Sequence, residues 1–439
     1  MSTAPNAALK TANDAEPAAP RDYPKLFVLG ILHMGQYFPM AFIGSALPFV
    51  FRKEGLPLEM FWVLALVAIP NWFKWLIALV VDRYSIQRIG HRKTWIIPCT
   101  IIGACCYGVL SFFPPKLDLL YPIVGILFFK TCIMAAQDIA VDAYAAESMQ
   151  AHERSVGTSI INFLAAVGGM LGLGAVALVD SFGWTTATMA ASSLLILAAL
   201  PAIIRKEPPP PELTRQRLAR GEAPSLLAAL RRPDSWRILP LLFVFGFGGH
   251  FFGSMVGPFF ADKGWTLTEF GLLNAACAFI GGGLGAVVTP WLVDRLGLRN
   301  AGLIGVATLP LQGILFGLLA WMPELPAMPI LIALIATAQF FVSPYGYALS
   351  TSRFRWVSKA QAGTDYSMQS SIWNMGIWVA GSTAGVLGAT VGWTLFFPVA
   401  GLLAASGGLY YVLMFNRIET MVQAREQADA RQHAIAEAM

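Results

Sequence analysis

Residues 294–299 read Asp-Arg-Leu-Gly-Leu-Arg, and residues 82–93 read Asp-Arg-Tyr-Ser-Ile-Gln-Arg-Ile-Gly-His-Arg-Lys. Each is a charged island between two apolar runs, and the two opening Asp-Arg pairs stand 212 residues apart. Other features keep nearly the same offset. Pro48, Lys53 and Glu59 recur as Pro258, Lys263 and Glu269, 210 residues later, and Val156-Gly157-Thr158 is echoed by Ala362-Gly363-Thr364, 206 later. Three matches in the same order mark a duplicated unit, since self-similarity at a fixed period is the signature of a repeated structural module.

Outward from these islands, apolar runs of about twenty residues recur, each long enough to cross a hydrocarbon layer of about 30 Å. They lie at 26–50, 58–81, 95–113, 119–142, 156–179 and 184–204, and again at 237–261, 267–293, 300–322, 328–351, 364–389 and 393–415. The expected fold is an all-α membrane protein of twelve transmembrane helices in two six-helix bundles. Composition agrees: 56% of the 439 residues are apolar, 13% are charged and the mean hydropathy is +0.61. A soluble domain carries roughly 25% charged residues.

Lys and Arg accumulate in cytoplasmic loops, which sets orientation. With the amino terminus inside, 24 of the 30 basic residues fall in cytoplasmic segments. The exceptions are Arg52, Lys53, Lys116 and Lys263 outside, and Lys74 and Lys130 within helices. The expected division is a disordered cytoplasmic tail at 1–22, bundles at 23–204 and 237–416, a cytoplasmic linker at 205–236 containing Pro208 to Pro211, and a cytoplasmic tail at 417–439. The net charge of +5 is explained by these loops, so nucleic acid is not an expected partner. The five cysteines sit in apolar runs without metal or disulfide spacing. No nucleotide loop, nucleophile elbow or zinc spacing occurs, so neither an enzyme nor a cofactor is expected. Gly281-Gly282-Gly283-x-Gly285 and the Gly168 to Gly174 cluster read as close helix packing. Trp62, Trp95, Trp184, Trp265, Trp321 and Trp393 fall near span ends and read as interfacial anchors.

The two Asp-Arg islands resemble the signature loop of the major facilitator superfamily, the first copy with five extra residues. That resemblance implies two bundles rocking about a central site, with Asp82, Arg83, Arg92, Asp294, Arg295 and Arg299 as gate latches. Ala136-Gln137-Asp138-Ile139-Ala140-Val141-Asp142-Ala143-Tyr144, with Pro70 and Lys74 ahead of Asp82-Arg83, is similar to the branch holding AmpG-type muropeptide permeases, acetyl-CoA transporters and RhtX/FptX-type siderophore permeases. Ala362-Gly363-Thr364-Asp365-Tyr366, and twelve spans rather than fourteen, lean toward the siderophore group.

Charges inside a hydrocarbon span cost several kcal/mol on insertion scales, so each is a functional candidate. Lys130, Gln137, Asp138 and Asp142 fall along one face of the fourth span at 3.6 residues per turn. Lys130 reads as an anchor for an anionic cargo, and Asp138 and Asp142 as proton-coupling carboxylates; the alternative is that the carboxylates only tie helices together. Lys74 raises the same question in the second span. His33, Gln36 and Tyr37 in the first span, His250 in the seventh, and Gln339 and Tyr345 in the tenth are further candidates for the substrate site, with interhelical hydrogen bonding as the alternative for the histidines. Arg353 and Arg355 read as gate latches or topology determinants rather than ligands.

The expected function is a monomeric, proton-motive-force-driven importer in a bacterial inner membrane, with a small-molecule cargo: a siderophore or similar organic anion. Muropeptide import and drug export are rivals within the class, a channel or membrane-embedded enzyme outside it. The topology has a direct test. A Ser225→Cys variant in a cysteine-free background is expected to resist impermeant maleimide in intact cells; ready labelling from outside would reverse the orientation.

Overall fold

The computed structural model describes residues 21–84, 86, 89–149, 153–207, 230–357 and 362–438. The expected tail before residue 21, Pro208 to Pro211, Ser225 and the side chains of Asp82 and Arg83 lie outside the described residues. Helix α1 spans Tyr23–Lys53. The next stretch alternates tight 3-10 turns with α-helix: Leu58–Phe61, α2 at Trp62–Ala65, Leu66–Phe73 around Pro70, and α3 at Lys74–Arg83. Helices α4 (Lys93–Leu110), α5 (Leu120–Ser148), α6 (Arg154–Ala175) and α7 (Val179–Ile204) complete the first half. The second half runs through α8 (Ser235–Gly253), α9 (Val256–Asp262), α10 (Leu267–Cys277), a π-turn at Ala278–Gly283, α11 (Leu284–Trp321), α12 (Met328–Trp356) and α13 (Ala362–Ala438).

Among the described residues, nine helical stretches are long and apolar enough to cross a membrane. Three of them, Ser159–Ile204, Leu267–Trp321 and Asp365–Ala428, each contain one glycine with non-helical dihedrals: Gly183 (φ 79°, ψ 161°), Gly297 (φ 78°, ψ 159°) and Gly392 (φ 72°, ψ 165°). That region of backbone space is essentially closed to side-chain-bearing residues. The glycines with positive φ pair up across the repeat. Gly55 matches Gly264 and Gly183 matches Gly392, both 209 residues on, and Gly90 matches Gly297, 207 on. The duplication seen in scattered polar residues is therefore also a duplication of turn geometry.

Glycine lets the helices approach closely, which matters where lipid provides no hydrophobic drive for helix association. A Cβ on Gly168 or Gly172 would meet the α1 backbone at Met34 or Phe38, at 2.4 and 2.2 Å. Gly281 and Gly285 sit as close to Ala336 and Ser343 of α12. The tryptophans divide: Trp62 and Trp321 are exposed, whereas Trp184 is buried and donates from Nε1 to the Leu110 carbonyl at 3.1 Å.

The two ends of the molecule are built differently. At the end bearing Arg52 and Asp262, one apolar core is shared by both halves and includes Phe49, Phe61, Phe259, Phe270 and Phe396. Phe49 stacks on Phe270 across the halves at 4.9 Å. Arg52 makes a two-pronged contact with Asp262, Nε to Oδ1 at 2.6 Å and Nη2 to Oδ2 at 2.9 Å, and Trp393 donates to the same carboxylate at 2.9 Å. Thr268 reaches Asp180 of the other half, backbone N–H at 2.8 Å and hydroxyl at 2.9 Å.

At the terminus-bearing end the cores are separate. One, around Leu29, Val81, Ile96 and Val141, belongs to the first half; the other, around Ile238, Val306, Leu349, Tyr411 and Ile418, belongs to the second. The ion pairs formed there between described residues stay within a half: Lys25–Glu153 at 2.5 Å, Arg92–Glu147 at 2.5 Å, Arg232–Asp365 at 2.5 Å, Arg355–Glu419 at 2.7 Å, and Arg425–Asp234. The molecule is closed at one end and parted at the other.

Two boundaries move. Asp22, placed in the leading tail, caps α1 by accepting from the Lys25 N–H at 3.1 Å. Residues beyond 416, read as a tail because hydropathy stops there, continue α13. Ile418 and Val422 are buried one turn apart, Glu419 accepts from Trp356 Nε1 at 2.9 Å, and Arg425 donates to the Trp356 carbonyl at 3.1 Å. An amphipathic strip too polar to span a membrane thus packs against the second half.

Gly183 and Gly392 have open space where a Cβ would stand, so the cost of a side chain is purely conformational. Gly183→Ala and Gly392→Ala should each destabilise the purified protein by about 1–3 kcal/mol. Gly125→Ala, at a helical site equally free of neighbours, should be neutral or stabilising. Thermal unfolding in detergent checks both.

Candidate functional site

Helix α5 carries four polar residues whose partners lie on three different helices. Lys130, nearest its start, donates to the Tyr107 hydroxyl of α4 at 3.3 Å, with Nζ 5.3 Å from that ring's centroid. Two turns on, Gln137 is buried, donates to Thr100 of α4 at 3.2 Å and accepts from Gln36 of α1. Asp138 pairs with Lys74 of α3 at 2.5 Å, and Asp142, one turn further, meets His33 of α1 at 3.3 Å. The spacing of 3.6 residues per turn explains the fan, since Asp138 and Asp142 share a face while Gln137 points toward α4.

These charges face open space in the middle of apolar helices. The Asp142 side chain is 56% exposed and Tyr37 42%. Across the gap, Arg353 of α12 is 5% exposed and lies between two aromatic faces of α13, 4.9 Å from the Tyr366 centroid and 4.4 Å from that of Trp373. It also donates to Ser370 at 2.8 Å. The halves are near enough for Asp138, Asp142 and Lys74 to act electrostatically on the Tyr366 hydroxyl, and for Arg353 to act on Tyr37. The result is a cleft with a mixed-charge wall in one half and a cation held by aromatics in the other.

The expected site residues separate accordingly. His33, Gln36, Tyr37, Gln137, Asp138 and Asp142 come together. Lys130 does not join them: it leans on Tyr107 between α4 and α5, and Asp138 takes its cation from Lys74 instead. His250 is exposed in the second half, with its ring 3.7 Å from where a Cβ on Gly381 would stand, away from the acidic pair. Gln339 packs against Gly281, and Tyr345 is a core residue against Phe245 at 4.9 Å, so neither faces the charged wall. Of the latch candidates, Arg92 grips Glu147 within the first half, while its backbone N–H and that of Lys93 donate to Glu207 at 2.8 and 3.1 Å. Arg295 lies over Trp291 at 4.4 Å and Arg299 donates to the Val412 carbonyl at 3.0 Å. Asp294 is exposed, without an ion-pair partner among the described residues. Sequence reading left Lys74 unassigned and did not anticipate the stacking of Arg353 on Tyr366 and Trp373. A lone lysine in an apolar run was the available signal for the first; nothing in the spacing announced the second.

A duplicated array of apolar helices, closed at one end and opening at the other onto a charged cleft between its halves, defines a membrane carrier. The chain belongs to the Major Facilitator Superfamily, whose profile matches residues 29–355, and it is a multi-pass membrane transporter, not an enzyme. The anhydromuropeptide permease of Escherichia coli (strain K12) is 25% identical over 407 residues, covering 89% of this chain and 79% of that protein. The putative transporter AmpG 4 of Rickettsia conorii (strain ATCC VR-613 / Malish 7) is 23% identical, covering 90% and 97%. Among solved structures, a POT family transporter in complex with a thioalcohol-conjugated peptide superposes with a TM-score of 0.68 at 14% identity, over 90% of this chain and 96% of that one. The nucleoside transporter NupG superposes with a TM-score of 0.60 at 14% identity, over 90% and 99%. The AmpG-type side of the expected resemblance is borne out; similarity to siderophore permeases is not shown.

The pairing pattern yields a stability test. In double-mutant cycles on the purified protein, Lys74→Met and Asp138→Asn should couple by about 0.5–1 kcal/mol, the low end for contacting residues because the Asp138 side chain is 35% exposed. Lys130→Met and Asp138→Asn should combine additively.

Proposed function

We propose that this chain is a proton-driven importer of muropeptide-type cargo, a saccharide linked to a short anionic peptide, working by alternating access in a bacterial inner membrane. The observation that carries the reading is the cleft wall formed by Lys74, Asp138, Asp142 and His33. Those groups offer a cation and titratable acids at the level where duplicated transporters of this kind bind their substrates. Relatedness over nine-tenths of the chain to a protein named as an anhydromuropeptide permease supports the cargo class. The siderophore reading leaned on Ala362 to Tyr366 and on a span number below that of AmpG-type proteins; a putative AmpG-named transporter whose length this chain covers to 97% weighs against the second ground.

Three interrupting glycines support twelve spans in place of nine stretches. With both termini cytoplasmic, as the loop charges require, the parted end faces the cytoplasm and the Arg52–Asp262 end faces outward. Lys74 holds the carboxylates of the cargo's peptide, assisted by Tyr37 and Gln36, while Arg353 closes the opposite wall. Asp142 links cargo to protons, while Asp138 positions Lys74. Arg92, Arg295 and Arg299, with Asp82, Arg83 and Asp294 in the repeated loops, hold the helix ends that must move. The protein acts as a monomer.

Uptake into inverted and right-side-out vesicles decides the cargo. An imposed inward pH gradient should drive accumulation of a labelled anhydromuropeptide but not of ferric siderophores. Lys74→Ala should reduce binding by about 2 kcal/mol or more, the lower bound for truncating one side of a buried, hydrogen-bonded charge pair, whereas Lys130→Ala should have a smaller effect. Siderophore accumulation without muropeptide accumulation would replace the proposed cargo.

A further inference from the structure

His33 is fixed at both ring nitrogens, and its two contacts together count protons. Nδ1 lies 2.8 Å from the Leu29 carbonyl oxygen, one turn back on α1, and Nε2 lies 3.3 Å from Asp142 Oδ1 on α5. A carbonyl oxygen only accepts, so Nδ1 carries a hydrogen. Neutral imidazole has a single N–H, which leaves Nε2 a bare acceptor pointed at a carboxylate oxygen. Two acceptors at that distance repel unless a proton stands between them. The contact therefore holds one proton more than neutral His33 beside ionised Asp142: either imidazolium with carboxylate, or imidazole with carboxylic acid.

We infer that the His33–Asp142 pair is the proton-carrying site of this transporter, holding one shared proton in the conformation whose terminus-bearing end is parted. The assignment deepens the proposed proton-driven function and rests on it for its role, whereas the proton count rests on geometry alone. Asp138 is otherwise engaged, since Lys74 occupies it at 2.5 Å. The charged and titratable groups facing the pair are Tyr37 on α1, Lys74 on α3, Asp138 on α5 and Tyr366 on the facing half, with Arg353 reaching Tyr37 and Tyr366 rather than the pair itself. Helices α6 and α7, which back α1 here, bring apolar neighbours: Ile160 and Leu164 at Gly30, and Ala198 at Gly35.

Release breaks one N–H or O–H bond heterolytically, leaving Nδ1–H imidazole and a carboxylate, and the proton passes to water in the cleft on which Asp142 opens. The two remaining acceptors then repel, which pushes α1 from α5 at this level. Proton loss and helix movement become one event.

Nitrogen-15 histidine NMR on the full-length protein in nanodiscs reads this without any cargo. The His33 signals are assigned by their loss in His33→Gln. Nδ1 should remain protonated throughout, and a single proton should leave on alkalinisation with a midpoint that moves by at least one pH unit in Asp142→Asn and by less in Asp138→Asn. A bare Nδ1, or a midpoint unmoved by Asp142→Asn, overturns the shared proton. In vesicles, His33→Gln should lower pH-driven accumulation at least tenfold more than it lowers cargo counterflow; equal losses in the two assays would overturn the carrier role. If the wild-type protein moves no anhydromuropeptide, the proposed cargo fails and the NMR result still decides the pair.

Discussion

Hydrocarbon offers neither donors nor acceptors, and every polar contact in this protein is arranged around that shortage. Backbone groups are satisfied inside helices, the simplest solution available to a chain in lipid. Charged side chains then need partners from other helices, because neighbours on the same helix point elsewhere or lie too far along the axis. Helix α5 shows the result. Its Lys130, Gln137, Asp138 and Asp142 bind α4, α1 and α3 in turn, so one helix fixes the first half around itself and presents the unspent polarity to the cleft.

The same constraint separates holding from moving. Within each half, glycine-mediated backbone contacts and internal ion pairs leave little room for relative sliding. Between the halves, the closed end relies on an aromatic-rich core, with the Arg52–Asp262 pair and the Thr268–Asp180 hydrogen bonds at its exposed edge, where polar contacts contribute little on their own. Apolar surface can part and meet again at little directional cost, and the few polar contacts at this edge exchange with water as it opens. Rigid halves joined by such a face suit rocking of one bundle against the other.

The architecture was largely legible because hydrophobic length and repeat offset are properties of a linear string. Asp82-Arg83 and Asp294-Arg295 marked the duplication, and Lys130, Asp138 and Asp142 were visible as charges in apolar runs. Which charge meets which was not legible. Lys74 answers Asp138 because α3 passes α5 at that level, and Lys130 turns to Tyr107 because α4 lies on that side; both depend on packing between helices. The stretch past residue 416 hid for another reason. Its apolar residues, Ile418 and Val422, are too few to raise a hydropathy window, yet one turn apart they suffice to dock a helix. Arg353 likewise looked like a loop charge at a helix end, when two aromatic rings of α13 hold it inside.

Arg52 and Asp262 occupy equivalent positions in the two halves, 210 residues apart, and they touch each other. In a symmetric dimer of one ancestral six-helix unit, that position would face its own copy, arginine against arginine or aspartate against aspartate, and like charges would drive the end apart. Opposite charges there require two copies that differ in sequence, which this duplicated chain supplies. The ion pair is thus a contact that exists because the copies have diverged at this position. It also makes the halves non-interchangeable, since two first halves or two second halves would not close.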